Sequence, residues 1–154
     1  MRRQIAGFHQ DEDGDSVAEL SCLHNQHVRH QPPFFDRPWV LDAEGRAGRI
    51  GQELDCPLCD RAELPDGLRL ARTAGPFDQD TLPPGLRREH RTAEGTWGRL
   101  RVLSGTVDFV LQTDPPLSVR LGAGAEQAIP PGVPHVVTLV GPAVIEVDFL
   151  VAPE

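Results

Sequence analysis

The sequence contains no lysine and no tyrosine, and all 15 of its basic residues are arginines. A mechanism that needs a lysine nucleophile or a lysine Schiff base is therefore excluded. No apolar run approaches the roughly 18 residues that a membrane-spanning helix needs. The first 15 residues carry two arginines with no apolar stretch behind them, so we expect no secretory leader and a cytoplasmic location.

Basic charge is also scarce, because the formal net charge is −8 and no stretch of the chain forms a basic stripe. Proteins that bind nucleic acid offset the phosphate charge with such a stripe. We therefore expect neither a nucleic-acid partner nor a membrane partner. Cysteine is scarce as well, with only three residues. In a reducing compartment, three cysteines are better interpreted as metal ligands or reactive thiols than as a disulfide framework.

The pattern of short alternating runs predicts a mainly β protein in two parts. "QIAGF" and "SVAEL" flank an acidic turn and predict a hairpin. Residues 42–54 predict a helix that Asp42 caps, and residues 62–86 are rich in turn signals. Strand-like runs then recur from Trp97 onward. We place the boundary between a small module, residues 1–63, and a β-barrel, residues 64–154.

The small module has few large apolar residues, so it needs additional stabilisation. Two short chelating pairs offer it: Cys22 with His24, and Cys56 with Cys59. A Cys₃His set closes a tetrahedral zinc site and leaves no open position, which is the pattern of structural zinc. The alternative interpretation of "CPLC" is a redox motif, but such a motif normally opens a helix after a strand in a βαβ unit.

Two further histidines in the same stretch, His27 and His30, are left over from this set. Either could replace His24 as the zinc ligand. Together they could line a second, open metal site, or an anion pocket with Arg29. They could also hydrogen-bond to neighbouring groups or face water. The sequence leaves these alternatives open.

The C-terminal part contains "GAEQAIPPGVPH", residues 124–135, which matches the second cupin motif at Gly124, Pro130, Gly132 and His135. His90 stands alone where the first cupin motif usually has two histidines. On the last strand, Glu146 and Asp148 share one face. His90, His135 and one of these acids would form a set with open positions, suited to Zn²⁺, Fe²⁺ or Mn²⁺. The alternative is a metal-free polar pocket.

Two family resemblances cover nearly the whole chain. "REHRTAEGTWGRLRVLSG", "IPPGVPHVVTLVGP" and "VIEVDF" resemble the TehB/YeaR-like cupin domain (DUF1971) over roughly residues 64–152. Asp148 falls where that family usually has a glutamate, so the resemblance implies Asp148 as the third ligand. "GFHQDEDGDSVAELSC" and "EGRAGRIGQELDCPLCDR" resemble a Cys/His-rich family of unknown function (DUF3565) over residues 4–61, with Leu23 in place of its usual glycine.

The TehB/YeaR-like resemblance implies a cupin-type barrel (a double-stranded β-helix) and a role in tellurite resistance or nitrogen-oxide stress. A small ligand or an oxyanion would then bind in the barrel. Because many small cupins pair through their sheets, a homodimer is also expected. The sequence leaves open whether the protein is instead a metal-dependent enzyme of the dioxygenase type, or an interaction factor that recruits a partner through its zinc module.

Overall fold

The computed structural model describes the whole chain, residues 1–154. The chain divides into two compact units, Met1–Pro57 and Leu58–Glu154. The first unit contains an antiparallel sheet in the spatial order β3-β2-β1-β4. Its strands are β1 (Arg2–Gln10), β2 (Ser16–Leu20), β3 (Asn25–His27) and β4 (Glu53–Asp55). A 3₁₀ turn (Pro38–Leu41) and a short helix, α1 (Ala43–Ala47), connect β3 to β4.

The predicted N-terminal hairpin is confirmed, since β1 and β2 pair antiparallel. The acidic turn between them closes on Asp11. Its carboxylate accepts hydrogen bonds from the backbone N–H groups of Asp13 and Asp15, each at 2.9 Å. Such local hydrogen bonds are the reason that aspartate favours turns. The acidic run therefore forms a turn that its own hydrogen bonds stabilise.

The helix predicted over residues 42–54 is correct at its start and wrong in its length. Asp42 caps it as expected, because its carboxylate accepts from the Gly45 N–H at 2.6 Å. The helix then ends at Ala47, and Glu53–Asp55 form β4 instead. Glycine lowers helix stability by about 1 kcal/mol per residue, and the chain has glycines at positions 45, 48 and 51. The pairing of β4 with β1 outweighs the remaining helical tendency.

The second unit contains a sheet in the order β5-β9-β6-β7, with β8 pairing a further part of β6. Its strands are β5 (Arg69–Phe77), β6 (Trp97–Leu111), β7 (Leu117–Gly122), β8 (Glu126–Ile129) and β9 (His135–Val151). A short helix, α2 (Pro57–Asp60), precedes this sheet, and a 3₁₀ turn (Pro84–Arg87) follows β5. The mainly β prediction is confirmed. The prediction that residues 62–86 form turns and loops was wrong for β5. The glycine and the proline in this segment are typical of turns, and they obscured the strand pattern.

The two longest strands, β6 and β9, pair from Trp97 opposite Leu150 to Leu111 opposite His135. Their register shifts around Ser104 and again before Thr106. Gly105 lies at this point with φ of +77°. A Cβ there would lie 2.7 Å from the Ala143 Cα, so the close approach of the strands requires glycine.

The core of the second unit follows the alternation of these strands. Inward residues on β6 are fully buried, among them Leu100, Val107 and Phe109, each 0% exposed. The matching positions on β9 include Ile145, also 0% exposed. No helix of the chain has both the length and the apolar character that crossing a bilayer requires.

Candidate functional site

The first pair of cysteine and histidine ligands lies in the tight turn that follows β2. The Leu20 N–H donates to the His24 carbonyl at 2.9 Å, and the Leu23 N–H donates to the Leu20 carbonyl at 2.8 Å. Leu23 has φ of +72°, the left-handed conformation that favours glycine. This reversal places Cys22 and His24 on the same side of the turn. It also explains why a glycine at position 23 is the residue expected there.

The second pair lies where β4 ends and α2 begins. The Cys56 N–H donates to the Met1 carbonyl at 2.7 Å, which holds Cys56 beside the start of β1. Cys59 lies within α2, and the Ala62 N–H donates to its carbonyl at 3.0 Å. The C-x-x-C spacing therefore folds into a single turn of helix, as two thiolates on one metal ion require.

All four predicted ligands meet in one buried cluster. The exposed fractions are 0% for Cys22, 4% for His24, 2% for Cys56 and 0% for Cys59. Their ligand atoms lie within 4.8 Å of one another. The Cys22 and Cys56 sulfurs are 3.8 Å apart, and the His24 Nδ1 lies 3.5 Å and 3.4 Å from these two sulfurs.

These distances fit a tetrahedral metal ion. With metal–sulfur bonds of about 2.3 Å and a metal–nitrogen bond of about 2.0 Å, tetrahedral edges are about 3.8 Å between sulfurs and about 3.5 Å between sulfur and nitrogen. The ligand atoms of Cys22, His24 and Cys56 lie at those separations, and the Cys59 sulfur lies within 4.8 Å of each of them. The group can therefore hold a metal ion, and its closed Cys₃His set leaves no position for a substrate.

The pKa of His24 indicates that its surroundings favour a positive charge on the ring. Burial disfavours its protonated form, but hydrogen bonds from the ring to the sulfurs of Cys22 and Cys56 outweigh that effect. Together they raise the pKa of His24 to about 9. A metal ion that bound here would therefore displace a proton from His24.

The structure separates the two remaining histidines of this stretch from the cluster. His27 Nε2 lies 2.8 Å from the Asp11 carboxylate, on the acidic turn. His30 Nδ1 accepts a hydrogen bond from the Arg37 N–H at 3.0 Å. Neither belongs to the group of four ligands, so neither takes the place of His24.

In the second unit, the structure brings His90 and His135 together. Each backbone donates to the other: His90 N–H to the His135 carbonyl at 2.9 Å, and His135 N–H to the His90 carbonyl at 2.8 Å. The two rings are perpendicular, with centroids 5.5 Å apart. Burial lowers the pKa of His135, with a smaller contribution in the same direction from His90.

His135 also has a defined tautomer. Its Nδ1 lies 3.1 Å from the Val133 carbonyl oxygen, which can only accept a hydrogen bond. The neutral ring therefore carries its proton on Nδ1 and a free lone pair on Nε2. His135 thus offers one acceptor or ligand atom from an otherwise apolar setting.

Both histidines line a small enclosed cavity of about 30 Å³. A water molecule needs roughly 10–15 Å³ of such space, so the cavity suits one or two waters or a small chemical group. Apart from His90, His135 and Thr92, its lining is apolar: Ala74, Leu86, Leu100, Ile129, Val137, Ile145, Val147 and Phe149.

Asp148, the third expected ligand, lies on the opposite face of β9. Ile145, Val147 and Phe149 line the cavity, and side chains alternate along a strand. The Asp148 carboxylate accepts hydrogen bonds from the Arg99 Nε at 3.0 Å and the Arg101 Nε at 2.9 Å. The structure therefore does not bring Asp148 to His90 and His135. The same alternation signal was present in the sequence, where apolar residues at 145, 147 and 149 imply that the acids face away.

Glu146 shares this outer face, where it pairs with Arg101. The Asp148 carboxylate also accepts from the Thr73 hydroxyl at 2.8 Å. Burial would raise the pKa of Asp148, but hydrogen bonds from Arg101, Thr73 and Arg99 outweigh burial and lower it to about 2. Asp148 is 2% exposed. It is therefore a buried, ionised carboxylate whose charge Arg99 and Arg101 balance, and its role is structural.

Sequence reasoning missed two arginines beside the histidines. A groove of about 360 Å³ is lined by Arg72 and Arg91 together with His90, Thr92, Thr96, Phe149 and three apolar residues: Ala71, Ala93 and Val151. The Arg72 guanidinium lies 4.0 Å from the centroid of the Phe149 ring, a cation–π distance. Nothing in the sequence indicated Arg72 as a site residue, because Arg72 lies on β5 and that strand was not predicted.

The chain is similar to two described families. Residues 6–63 match the family described as a protein of unknown function (DUF3565). Residues 72–147 match the TehB-like domain. Both resemblances inferred from the sequence are thereby confirmed. A search of the curated proteins finds no match.

Two solved structures share the fold of this chain over somewhat more than half of its length. A crystal structure of a protein from E. coli (strain K12) superposes with a TM-score of 0.55 at 25% identity, over 60% of this chain and 98% of that one. TehB from Haemophilus influenzae superposes with a TM-score of 0.52 at 22% identity, over 56% of this chain and 32% of that one. The likeness thus spans about a third of TehB and shows the fold alone.

Proposed function

We propose that this chain, which joins a DUF3565 region to a TehB-like domain, is a zinc-stabilised stress-response protein of the tellurite-resistance type that binds a small oxyanion. The TehB-like match supports the type of protein, and the Cys₃His group supports the metal. The observation that carries the ligand assignment is the arginine-lined groove that adjoins the enclosed cavity in the second unit.

The metal assignment rests on donor chemistry. Three cysteines with one histidine favour zinc over the hard cations, which prefer oxygen ligands. The ion would be structural, because all four positions around it come from the protein. The free energy of binding such an ion is folding free energy, and the first unit gains most from it because its own core is small. No disulfide joins the three cysteines, which also suits a reducing cytoplasm.

The ligand assignment rests on charge and donors. Arg72 and Arg91 line the groove, and no acidic residue lines it. Guanidinium groups hold planar and tetrahedral oxyanions through paired hydrogen bonds. The hydroxyl of Thr96 adds a neutral donor, whereas the hydroxyl of Thr92 donates to the Pro130 carbonyl at 3.4 Å. A concave site with two cations stands out in a chain whose net charge is −8.

The groove and the cavity share three residues, His90, Thr92 and Phe149. An anion held by the arginines would therefore sit beside the histidine pair. His135 keeps a free lone pair on Nε2, so it can accept a hydrogen bond from a protonated oxyanion or act as a ligand to Zn²⁺, Fe²⁺ or Mn²⁺. With Asp148 on the other face, such an ion would have two protein ligands. A metal-dependent enzyme is therefore less well supported than an oxyanion-binding protein.

The test is calorimetric titration with tellurite, with sulfite and nitrite as comparison anions, on Arg72→Gln and Arg91→Gln. Each substitution removes one charge-assisted contact, so affinity should fall about tenfold or more. Arg120→Gln is the matched control, because Arg120 pairs with Asp108 on the exposed surface. Equal affinity in all three variants, or no binding by the wild type, would reject the proposal. Elemental analysis of His135→Ala tests whether the cavity holds a metal.

A further inference from the structure

A second cavity, of about 280 Å³, lies wholly within the first unit. The zinc cluster does not use it, and none of its residues belongs to the proposed oxyanion groove. It holds His30, one of the two histidines that lie outside the cluster. Its lining residues are Gln10, Gly14, Asp15, Ser16, Val28, Arg29, His30, Gln31, Val40, Leu41 and Arg46.

The polar lining of this cavity consists mostly of hydrogen-bond donors. Arg29 and Arg46 supply two guanidinium groups, and Gln10, Gln31 and Ser16 add amide and hydroxyl donors. Arg46 is held in place because one of its nitrogens donates to the Val40 carbonyl at 2.8 Å. Four further N–H groups of a guanidinium remain after that bond.

His30 contributes a donor as well. Its Nδ1 accepts from the Arg37 backbone N–H at 3.0 Å. In the neutral ring the proton is therefore on Nε2, which makes Nε2 a donor. The side chain of His30 is 23% exposed, so the ring is partly buried at the cavity wall. The His30 ring is thus oriented by the Arg37 backbone, and the Asp36 carboxylate lies 3.8 Å from the same Nδ1 atom.

One acidic residue lines the cavity. The Asp15 carboxylate lies 3.5 Å from the Arg29 Nη2, and both side chains are about half exposed, at 46% and 47%. At that distance the hydrogen bond is weak, so Arg29 retains most of its donor capacity. Asp15 itself can only accept a hydrogen bond. An anion that also carries a hydrogen would therefore match the cavity better than a fully deprotonated one.

We infer that this cavity binds a phosphate group, with Arg29, His30 and Arg46 donating to its oxygens and Asp15 accepting from its remaining hydroxyl. Inorganic phosphate is a triprotic acid, so both its monoanion and its dianion keep a hydrogen near neutral pH, whereas a phosphomonoester loses its last hydrogen with a pKa of about 6. Sulfate has the same shape and no hydrogen at that pH. Asp15 then selects phosphate over sulfate, in the way that a site built for a hydroxyl rejects an analogue that lacks it.

The experiment uses the whole chain of 154 residues loaded with zinc. It follows backbone amide signals by two-dimensional NMR during titration with inorganic phosphate, and separately with sulfate. We expect shifts at Gly14, Arg29, His30 and Gln31, with phosphate binding at least about tenfold tighter than sulfate. Arg29→Gln and His30→Gln should weaken phosphate binding about tenfold. His27→Gln is the matched control, because His27 pairs with Asp11 and does not line the cavity.

Asp15→Asn gives the sharpest outcome. It removes the negative charge, so sulfate should bind more tightly than in the wild type, and the preference for phosphate should disappear. The proposal is overturned if phosphate shifts no signal of the cavity at 10-millimolar concentrations (on the order of weak non-specific binding). It is also overturned if His27→Gln weakens binding as much as His30→Gln does. Arg91→Gln leaves this binding unchanged, which separates it from the proposed oxyanion groove.

Discussion

The Asp148 carboxylate and the Arg99 guanidinium form a two-pronged ion pair. Arg99 donates to the same carboxylate oxygen from Nε at 3.0 Å and from Nη2 at 2.9 Å. The two residues are direct neighbours across β6 and β9. The pair is partly sheltered, since the Asp148 side chain is 3% exposed and the Arg99 side chain is 32% exposed. It holds the sheet on the face away from the histidines.

We predict that Asp148→Asn destabilises the protein by about 3 kcal/mol, because it leaves Arg99 and Arg101 facing an uncharged partner in a buried setting. The effect should depend on pH. The pKa of Asp148 is lowered from 3.8 to about 2 in the folded protein, so its stabilisation is complete above pH 3.8 and is lost as the pH falls towards 2. Denaturant unfolding at several pH values measures this.

The control for that measurement is Asp108→Asn. Asp108 pairs with Arg120 on the surface, where the two side chains are 40% and 65% exposed. Exposed pairs contribute at most about 1 kcal/mol. If the two asparagine variants lost equal stability, the buried network on the sheet would have no special role.

We predict that Cys56→Ser abolishes stoichiometric zinc, because one thiolate of the tetrahedral set is lost and serine is a poor ligand. The fold of the first unit should weaken with it. Elemental analysis of protein purified without added metal, together with thermal unfolding, provides the measurement. His27→Gln and His30→Gln should retain the full zinc content, since neither residue lies in the cluster. Zinc retention by Cys56→Ser would disprove the site.

We predict that Gly105→Ala destabilises the protein by about 3 kcal/mol or more. The positive φ alone costs an alanine roughly 1–2 kcal/mol, and a Cβ would also lie within 2.7 Å of the Ala143 Cα. Gly124→Ala isolates the first contribution, because Gly124 has φ of +87° and no atom within 4 Å of the added Cβ. Its cost should be about 1 kcal/mol. Equal losses would show that strand packing at Gly105 is looser than the structure indicates.

We predict that His135 titrates below its ordinary pKa of 6.5, since burial disfavours the charged ring and His90 adds to that effect. The unfolded chain then takes up a proton first as the pH falls. Stability should therefore decline from about pH 6.5 downwards. NMR of the histidine ring gives the midpoint, and unfolding curves of His135→Gln should be flatter with pH in this range. A midpoint at or above 6.5 would contradict the buried, neutral ring.

The Cys₃His cluster could be predicted from the sequence because its four residues come in two short chelating pairs. Cys22 and His24, like Cys56 and Cys59, are close in the chain, so only one long-range contact was needed. The pairing of His90 with His135 also followed from the cupin motif. The position of Asp148, the third expected ligand, did not follow from the motif. The choice between the two faces of β9 depends on which face packs against the core.

Arg72 could not be foreseen for a different reason. β5 forms by pairing with β9, which lies about 70 residues further along the chain, and its own sequence, with a glycine and a proline near its end, gives little strand signal. Tertiary pairing overrides local preference in such a strand. The position of Arg72 in the groove therefore depends on the register of β5 against β9, which local sequence does not determine.

The alternation along β9 makes one strand serve two unrelated tasks. Ile145, Val147 and Phe149 shape the cavity, while Glu146 and Asp148 neutralise arginines on the other side. A slip of one residue in pairing would turn every one of these side chains to the wrong side at once. Single-residue insertions or deletions between Gly141 and Glu146 should therefore be far more harmful than most substitutions there. Substitutions on one face of β9 can therefore accumulate independently of the other face, whereas an insertion or deletion in the strand affects both faces at once.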